Sequence, residues 1–166
     1  ERFFRVAVPL ATVTRFYRLR AHPDGCVEPA LFAPGERPNP WVVAGHKFVA
    51  YKEVGGALSS FNRIRVEGSQ TGLDVDTLLA VFLPDPCREV RIEFTSQSGL
   101  VDFAAYDAAG GVVATERVLG SSTTRRSVTL RTGSSDIVSV QVLSPNARTV
   151  VQKICCRNSD LLADRK

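Results

Sequence analysis

Apolar positions along this chain recur with a period of two in short runs, and no segment sustains the 3.6-residue spacing of an amphipathic helix. Residues 89–94 alternate apolar Val90, Ile92 and Phe94 with charged neighbours, which predicts a half-buried strand. Residues 77–83 form an apolar run closed by Pro84-Asp-Pro86, a strand followed by a turn. Residues 100–106 lead through Asp107-Ala-Ala-Gly-Gly111 into 112–118, a hairpin whose glycines supply the positive φ of its turn. A loop at 120–124, a strand at 127–131 and a turn at 133–136 follow. A strand at 137–142 presents Val138, Val140 and Val142 on one face, and a last strand covers 149–156. Turn signals at about ten-residue spacing predict an all-β, antiparallel β-sandwich of about eight to ten strands.

The first sixty residues are less regular. Residues 3–8, 12–19, 41–43 and 46–51 have strand composition. Residues 21–39 are crowded with proline and glycine and read as a long Pro-rich loop. Its restricted backbone and Cys26 predict that it lies ordered against the sandwich, either covering a sheet edge or shaping a cleft beside Trp41. No repeat or linker divides the chain, so 1–166 reads as one domain with 1–60 an N-terminal extension integrated into it. A unit of 166 residues buries roughly 70% of its unfolded surface. Its 44% hydrophobic and 23% charged residues exclude a disordered tail or a fibrous repeat. The longest apolar runs fall far short of the ~20 residues of a spanning helix, so no membrane span is expected.

The four cysteines, Cys26, Cys87, Cys155 and Cys156, lack the C-x-x-C pairs of a structural zinc site and read as disulfides. Cys155 and Cys156 are adjacent on a strand and point to opposite faces, so each bridges to one of Cys26 and Cys87, in either order. A chain that begins at Glu1 and contains no methionine reads as a mature form freed of its leader, or as a trimmed fragment. Disulfides and that start predict a secreted or cell-surface protein. With no Asn-x-Ser/Thr acceptor, a bacterial source is the more natural reading.

Several pieces carry a resemblance to a known family: Gly72-Leu73, Leu83-Pro-Asp-Pro-Cys87 leading into Val90-Arg-Ile-Glu-Phe94, the hairpin Ala-Tyr-Asp-x-x-Gly-Gly-Val-Val-Ala-Thr at 105–115, Asp136-Ile-Val-Ser-Val140 and Val151-Gln-Lys-Ile-Cys155. Together, over Gly72 to Cys156, they resemble the galactose-binding-like, carbohydrate-binding-module-like jelly rolls of bacterial secreted and surface proteins. The resemblance implies a jelly roll and a bridge from Cys87 to Cys155, which leaves Cys26 for Cys156. Many members bind glycans and many carry a structural calcium ion, but neither property lives in the residues that match, because ligand loops vary freely on one scaffold.

Among the residues themselves, Asp74 and Asp76 are the candidate calcium ligands, two hard oxygen donors at a strand start; the blander reading is a solvated edge. Trp41 and Tyr51, with Tyr106, are the candidates for stacking on a sugar ring, although Trp41 following Pro38-Asn-Pro40 also suits a plug at one end of the sandwich. His22 and His46 accompany no catalytic signature, and no cofactor other than calcium is implied. Arg2, Arg5, Arg15, Arg18 and Arg20 interleave with aromatics, yet a net charge of +4 with dispersed acids points to a charged edge rather than to nucleic acid.

The expected function is a non-catalytic extracellular binding or adhesion module whose partner is a glycan or an extracellular protein. The alternative is a structural subunit of a filament or phage-like assembly that self-associates by adding the strand at 3–8 to a neighbour's sheet edge.

Overall fold

A computed structural model describes residues 25–55, 57–60, 63–67, 71–133, 136–145 and 148–158. The expected strands at 3–8 and 12–19, the arginines before residue 21, and His22 lie outside the described residues. Twelve strands are described: β1 (Cys26–Val27), β2 (Gly35–Pro38), β3 (Trp41–Val43), β4 (His46–Val54), β5 (Ala57–Ser60), β6 (Arg63–Glu67), β7 (Gly72–Val75), β8 (Leu78–Cys87), β9 (Glu89–Tyr106), β10 (Val112–Arg131), β11 (Ile137–Leu143) and β12 (Thr149–Arg157). One 3₁₀ turn, Pro29–Leu31, interrupts them.

Pairing is antiparallel throughout and nested: β7 with β12, β8 with β11, β9 with β10. A long hairpin wrapped on itself in this way is a jelly roll. The first half of β9 pairs with β12 and the end of β10, making sheet I, which β7, β6 and β2 extend. The second half of β9 pairs with β11 and the start of β10, making sheet II, which β8, β4 and β3 extend, with β5 on β4. The fold class is therefore the expected antiparallel β-sandwich. Between the sheets lie Phe48, Leu79, Val81, Val90, Ile92, Phe94, Val101, Phe103, Leu130, Val140, Val142 and Ile154, all essentially free of solvent.

Several local expectations change. The runs 89–94 and 100–106 are one strand, and so are 112–118 and 127–131. The stretch 120–124, expected as a loop, stays in β10, with register shifts on either side of Ser122. The glycines there mark a corner where both strands pass from sheet I to sheet II while remaining paired. Gly99 sits opposite Gly120 and has φ +81°, and a Cβ on Gly120 would collide with Ser96 Oγ. Pro84-Asp-Pro86, expected as a turn, lies inside β8 where its register against β11 slips between Ile137 and Ser139. A bulge is one of the few places where a strand tolerates proline. The same bulge turns Ile137 fully inward and leaves Val138 only half-buried, so Val138 does not share the core face of Val140 and Val142.

From Gly25 on, the Pro-rich stretch is not a bare loop. Cys26 and Val27 pair with Cys155 and Ile154, taking the edge of β12 beyond the point where β7 ends, and β2 pairs with β6. Asn39 joins the ladder with its side chain: its Nδ2 donates to the Ala50 carbonyl at 2.8 Å and its Oδ1 accepts from the Ala50 amide at 3.1 Å. Ala50 lies on the edge of β4 between the ranges covered by β3 and β5, so the carboxamide stands in for a missing strand residue.

All four cysteines are bridged, but the pairing is Cys26–Cys155 and Cys87–Cys156, the reverse of the one implied by the resemblance. Register decides it. Cys26 is the direct cross-strand partner of Cys155, with Cα atoms 4.0 Å apart, on the outer face of sheet I. Cys156 points the other way, toward the end of β8, with its Cα 5.8 Å from that of Cys87.

Candidate functional site

The period of two distributes the side chains of sheet II between the core and an outer face. Phe48, Val81, Val140 and Ala105 are matched in register and buried, so their neighbours point out. Three rows cross the outer face. The first runs Lys47, Phe82, Ser139, Tyr106 and Val112; the second Val49, Ala80, Gln141, Ala104 and Thr115; the third Tyr51, Leu78, Leu143, Asp102 and Arg117.

In the middle row Ala80 and Ala104 flank Gln141, with Phe82, Tyr106, Tyr51 and Leu78 in the rows on either side. Ala80, though outward, is only 5% exposed between its neighbours, whereas Phe82 is 42% exposed. Phe82 and Tyr106 stand two strands apart, about 10 Å. Lys47 Nζ lies over the Phe82 ring, 5.4 Å from its centroid. The Tyr106 hydroxyl donates to Gln141 Oε1 at 3.0 Å, which orients the phenol ring and leaves the two protons of the carboxamide nitrogen outside that bond.

At the β10 edge, Arg117 donates from Nε and Nη2 to the two oxygens of Asp102, at 2.5 and 3.1 Å. That hydrogen-bonded carboxylate raises the guanidinium pKa further above its ordinary value. Beside the pair is an open depression of ≈ 440 Å³ lined by Asp102, Ala104, Thr115, Glu116 and Arg117 together with Phe103. The outer face thus offers aromatic plates, a carboxamide, and a donor and acceptor pair.

The outer face of sheet I differs in kind. Glu89 and Glu93 alternate there with Arg91 and are paired with Arg131 at 2.6 Å and Arg125 at 3.3 Å, while Lys153 meets Glu28 at 2.5 Å. Cross-strand pairs of opposite charge are what a solvated sheet face carries.

The residues singled out from the sequence are scattered. Trp41 pairs with Phe48 on the core side of sheet II, half-buried, its ring 5.7 Å from Phe48 and edge-on to Phe32 at 5.1 Å, with the Arg37 guanidinium 5.8 Å from its centroid. Tyr51 lies on the opposite face of the same sheet. The two therefore share no platform, and Trp41 packs against the core. Tyr51 does share the outer face with Tyr106. Asp74 sits on β7 opposite Val150, and Asp76 just beyond the strand pairs with Lys52 at 3.2 Å. Among the described residues no group of three or more His, Cys, Asp or Glu side chains is placed to hold a metal ion.

His46 is buried at the start of β4, stacked on Phe48, with Nδ1 3.1 Å from the Ala44 carbonyl and Nε2 without a partner. Burial lowers its pKa, and the hydrogen bond to Ala44 opposes this only in part, so it sits as a neutral core residue.

Phe82, Gln141, Asp102 and Arg117 were not singled out from the sequence. A signal for the first was present: residues 78–82 are apolar at outward as well as inward positions, unlike 89–94, so one face of that strand is not simply solvated. Asp102, Arg117 and Gln141 meet across strands far apart in the chain, and no local pattern marks them.

No helix among the described residues is long and apolar enough to cross a membrane. No family model and no curated protein matches the chain. It is similar to solved structures of family 29 carbohydrate-binding modules. One is a variant of the CBM29-2 module, at 11% identity and a TM-score of 0.45, covering 76% of this chain and 91% of that one. Another is described as carbohydrate binding module family 29, at 11% identity and a TM-score of 0.43 over the same shares. A third is a CBM29-2 variant complexed with cellulohexaose, at 12% identity and a TM-score of 0.44, covering 75% and 92%.

Proposed function

We propose that this protein is a non-catalytic, secreted or cell-surface glycan-binding module that takes its ligand on the outer face of sheet II. The observation that carries the reading is the gathering of Tyr51, Phe82 and Tyr106 on one face with Gln141 and the Asp102–Arg117 pair, around a floor of Ala80 and Ala104. A sugar ring has an apolar C–H face that suits an aromatic plate and hydroxyls that need donors and acceptors at its rim, and this face supplies both. Trp41 has a core role in this reading, and Asp74 and Asp76 serve at most a structural ion away from the ligand. In this reading the described residues from 25 to 60 belong to the same domain, since the strands from β1 to β5 pair with the sandwich or its hairpins.

The test is a glycan array followed by affinity electrophoresis of the wild type, Phe82→Ala and Tyr106→Ala, with and without calcium. Each substitution is expected to weaken binding of the retarding polysaccharide about tenfold or more while leaving the melting temperature within a few degrees. Flat arrays, or full binding by both variants, would remove the reading.

A further inference from the structure

Asp102 and Arg117 are directly opposed across β9 and β10 on the proposed binding face, and they line the depression at the β10 edge. The two-point contact uses Nε–H and one proton of Nη2. Both protons of Nη1 and the second on Nη2 remain to point away from the carboxylate. At one spot the pair therefore presents hydrogen-bond donors and acceptors side by side with no net charge. By register, the charged side chains of the face among the described residues are Lys47 and Arg117 against Glu53 and Asp102, and they balance. Glu116, on the edge strand, adds a second carboxylate to the lining of the depression.

The chain as a whole carries +4, and a basic protein gathers polyanions wherever a cation is left uncompensated. Arg117 is 66% exposed and would be such a cation without its partner. We infer that Asp102 is a specificity-determining residue: by neutralising Arg117 it restricts the sheet II face to uncharged glycans and turns away uronates and sulfated sugars. A vicinal diol can give a proton to Asp102 and accept from Arg117. An anionic sugar meets the Asp102 carboxylate at like charge, a repulsive element of the kind that creates specificity. This inference rests on the glycan-binding reading.

The experiment compares the wild type, Asp102→Asn, Asp102→Asn with Arg117→Gln, and Glu89→Gln by affinity electrophoresis in gels holding either a neutral polysaccharide (galactomannan or mixed-linkage glucan) or polygalacturonate, at low and at physiological salt. Asp102→Asn keeps the shape and frees the guanidinium, and it is expected to gain retardation by polygalacturonate of about five- to tenfold at low salt. Glu89→Gln frees Arg131 on the opposite sheet and raises the net charge equally, so it reads the general effect of an uncompensated cation away from the binding face. Its gain is expected to be clearly smaller than that of Asp102→Asn, and the added Arg117→Gln should abolish the latter. Retardation of the wild type by neutral polysaccharide with no gain in Asp102→Asn overturns the inference and leaves the binding face standing. An equal gain in Glu89→Gln also overturns it, as a general charge effect. A wild type retarded by no polysaccharide removes the binding reading and the inference together.

Discussion

The rings of Phe94 and Phe103 touch with centroids 4.8 Å apart, although both residues belong to β9 and are separated by nine positions. A straight strand would hold them about 30 Å apart. The contact is the signature of a strand that leaves one sheet, turns at Gly99 and returns on the other side of the core, so one strand contributes to both layers of the sandwich. Phe94→Ala or Phe103→Ala should each cost about 3–5 kcal/mol in urea or guanidinium unfolding, because the cavity opens at the centre of both sheets. The two losses should fall well short of additive in the double variant, since the rings share one contact.

The bridges give a sharper test of topology. Cys26→Ser with Cys155→Ser should leave no free thiol on titration under denaturing conditions, because Cys87 and Cys156 remain paired. Cys26→Ser with Cys156→Ser should expose two thiols, because Cys87 and Cys155 sit on opposite sides of sheet I. Loss of the bridge that spans 129 positions is expected to cost about 5 kcal/mol, and loss of the one that spans 69 about 4 kcal/mol, in the chain-entropy account. An unchanged melting temperature under reductant would contradict both.

The side chain of Asn39 completes the edge of β4. Asn39→Ala leaves the amide and the carbonyl of Ala50 without their partner and should cost about 1–3 kcal/mol. Asn39→Asp keeps the acceptor for the Ala50 amide but sets a carboxylate oxygen against the Ala50 carbonyl, so at neutral pH it should cost at least as much as Asn39→Ala. Hydrogen exchange at the Ala50 amide is the local readout and should rise most in Asn39→Ala.

Burial holds the folded His46 pKa below 6.5. Between the lowered value and 6.5 the unfolded chain binds a proton there that the folded chain does not, so stability is present above about 6.5 and drains away as pH falls. Thermal melts from pH 7.5 to 5 should show a smaller decline for His46→Phe than for the wild type. Parallel declines would mean that other groups carry the whole effect.

How much of this could be read from the chain is a matter of range. Alternation of Val90, Ile92 and Phe94, the Asp107 to Gly111 turn and the spacing of turn residues determined the all-β class and most strands, because strand faces and tight turns are set by neighbours one to four positions apart. Opposite faces for Cys155 and Cys156 followed from the same rule. Tertiary structure alone decided which cysteine each would meet, since that depends on β1 adding to β12 and on β8 ending beside it. It also decided that Gly99 and Gly120 bend continuous strands instead of ending them, because a glycine permits either outcome and only the unbroken β9–β10 pairing selects the first. The binding face lay furthest from the sequence. Trp41 went to the core and Tyr51 to the surface by an odd offset from Phe48, while Phe82, Tyr106, Gln141, Asp102 and Arg117 were gathered by the register of strands that are remote in the chain.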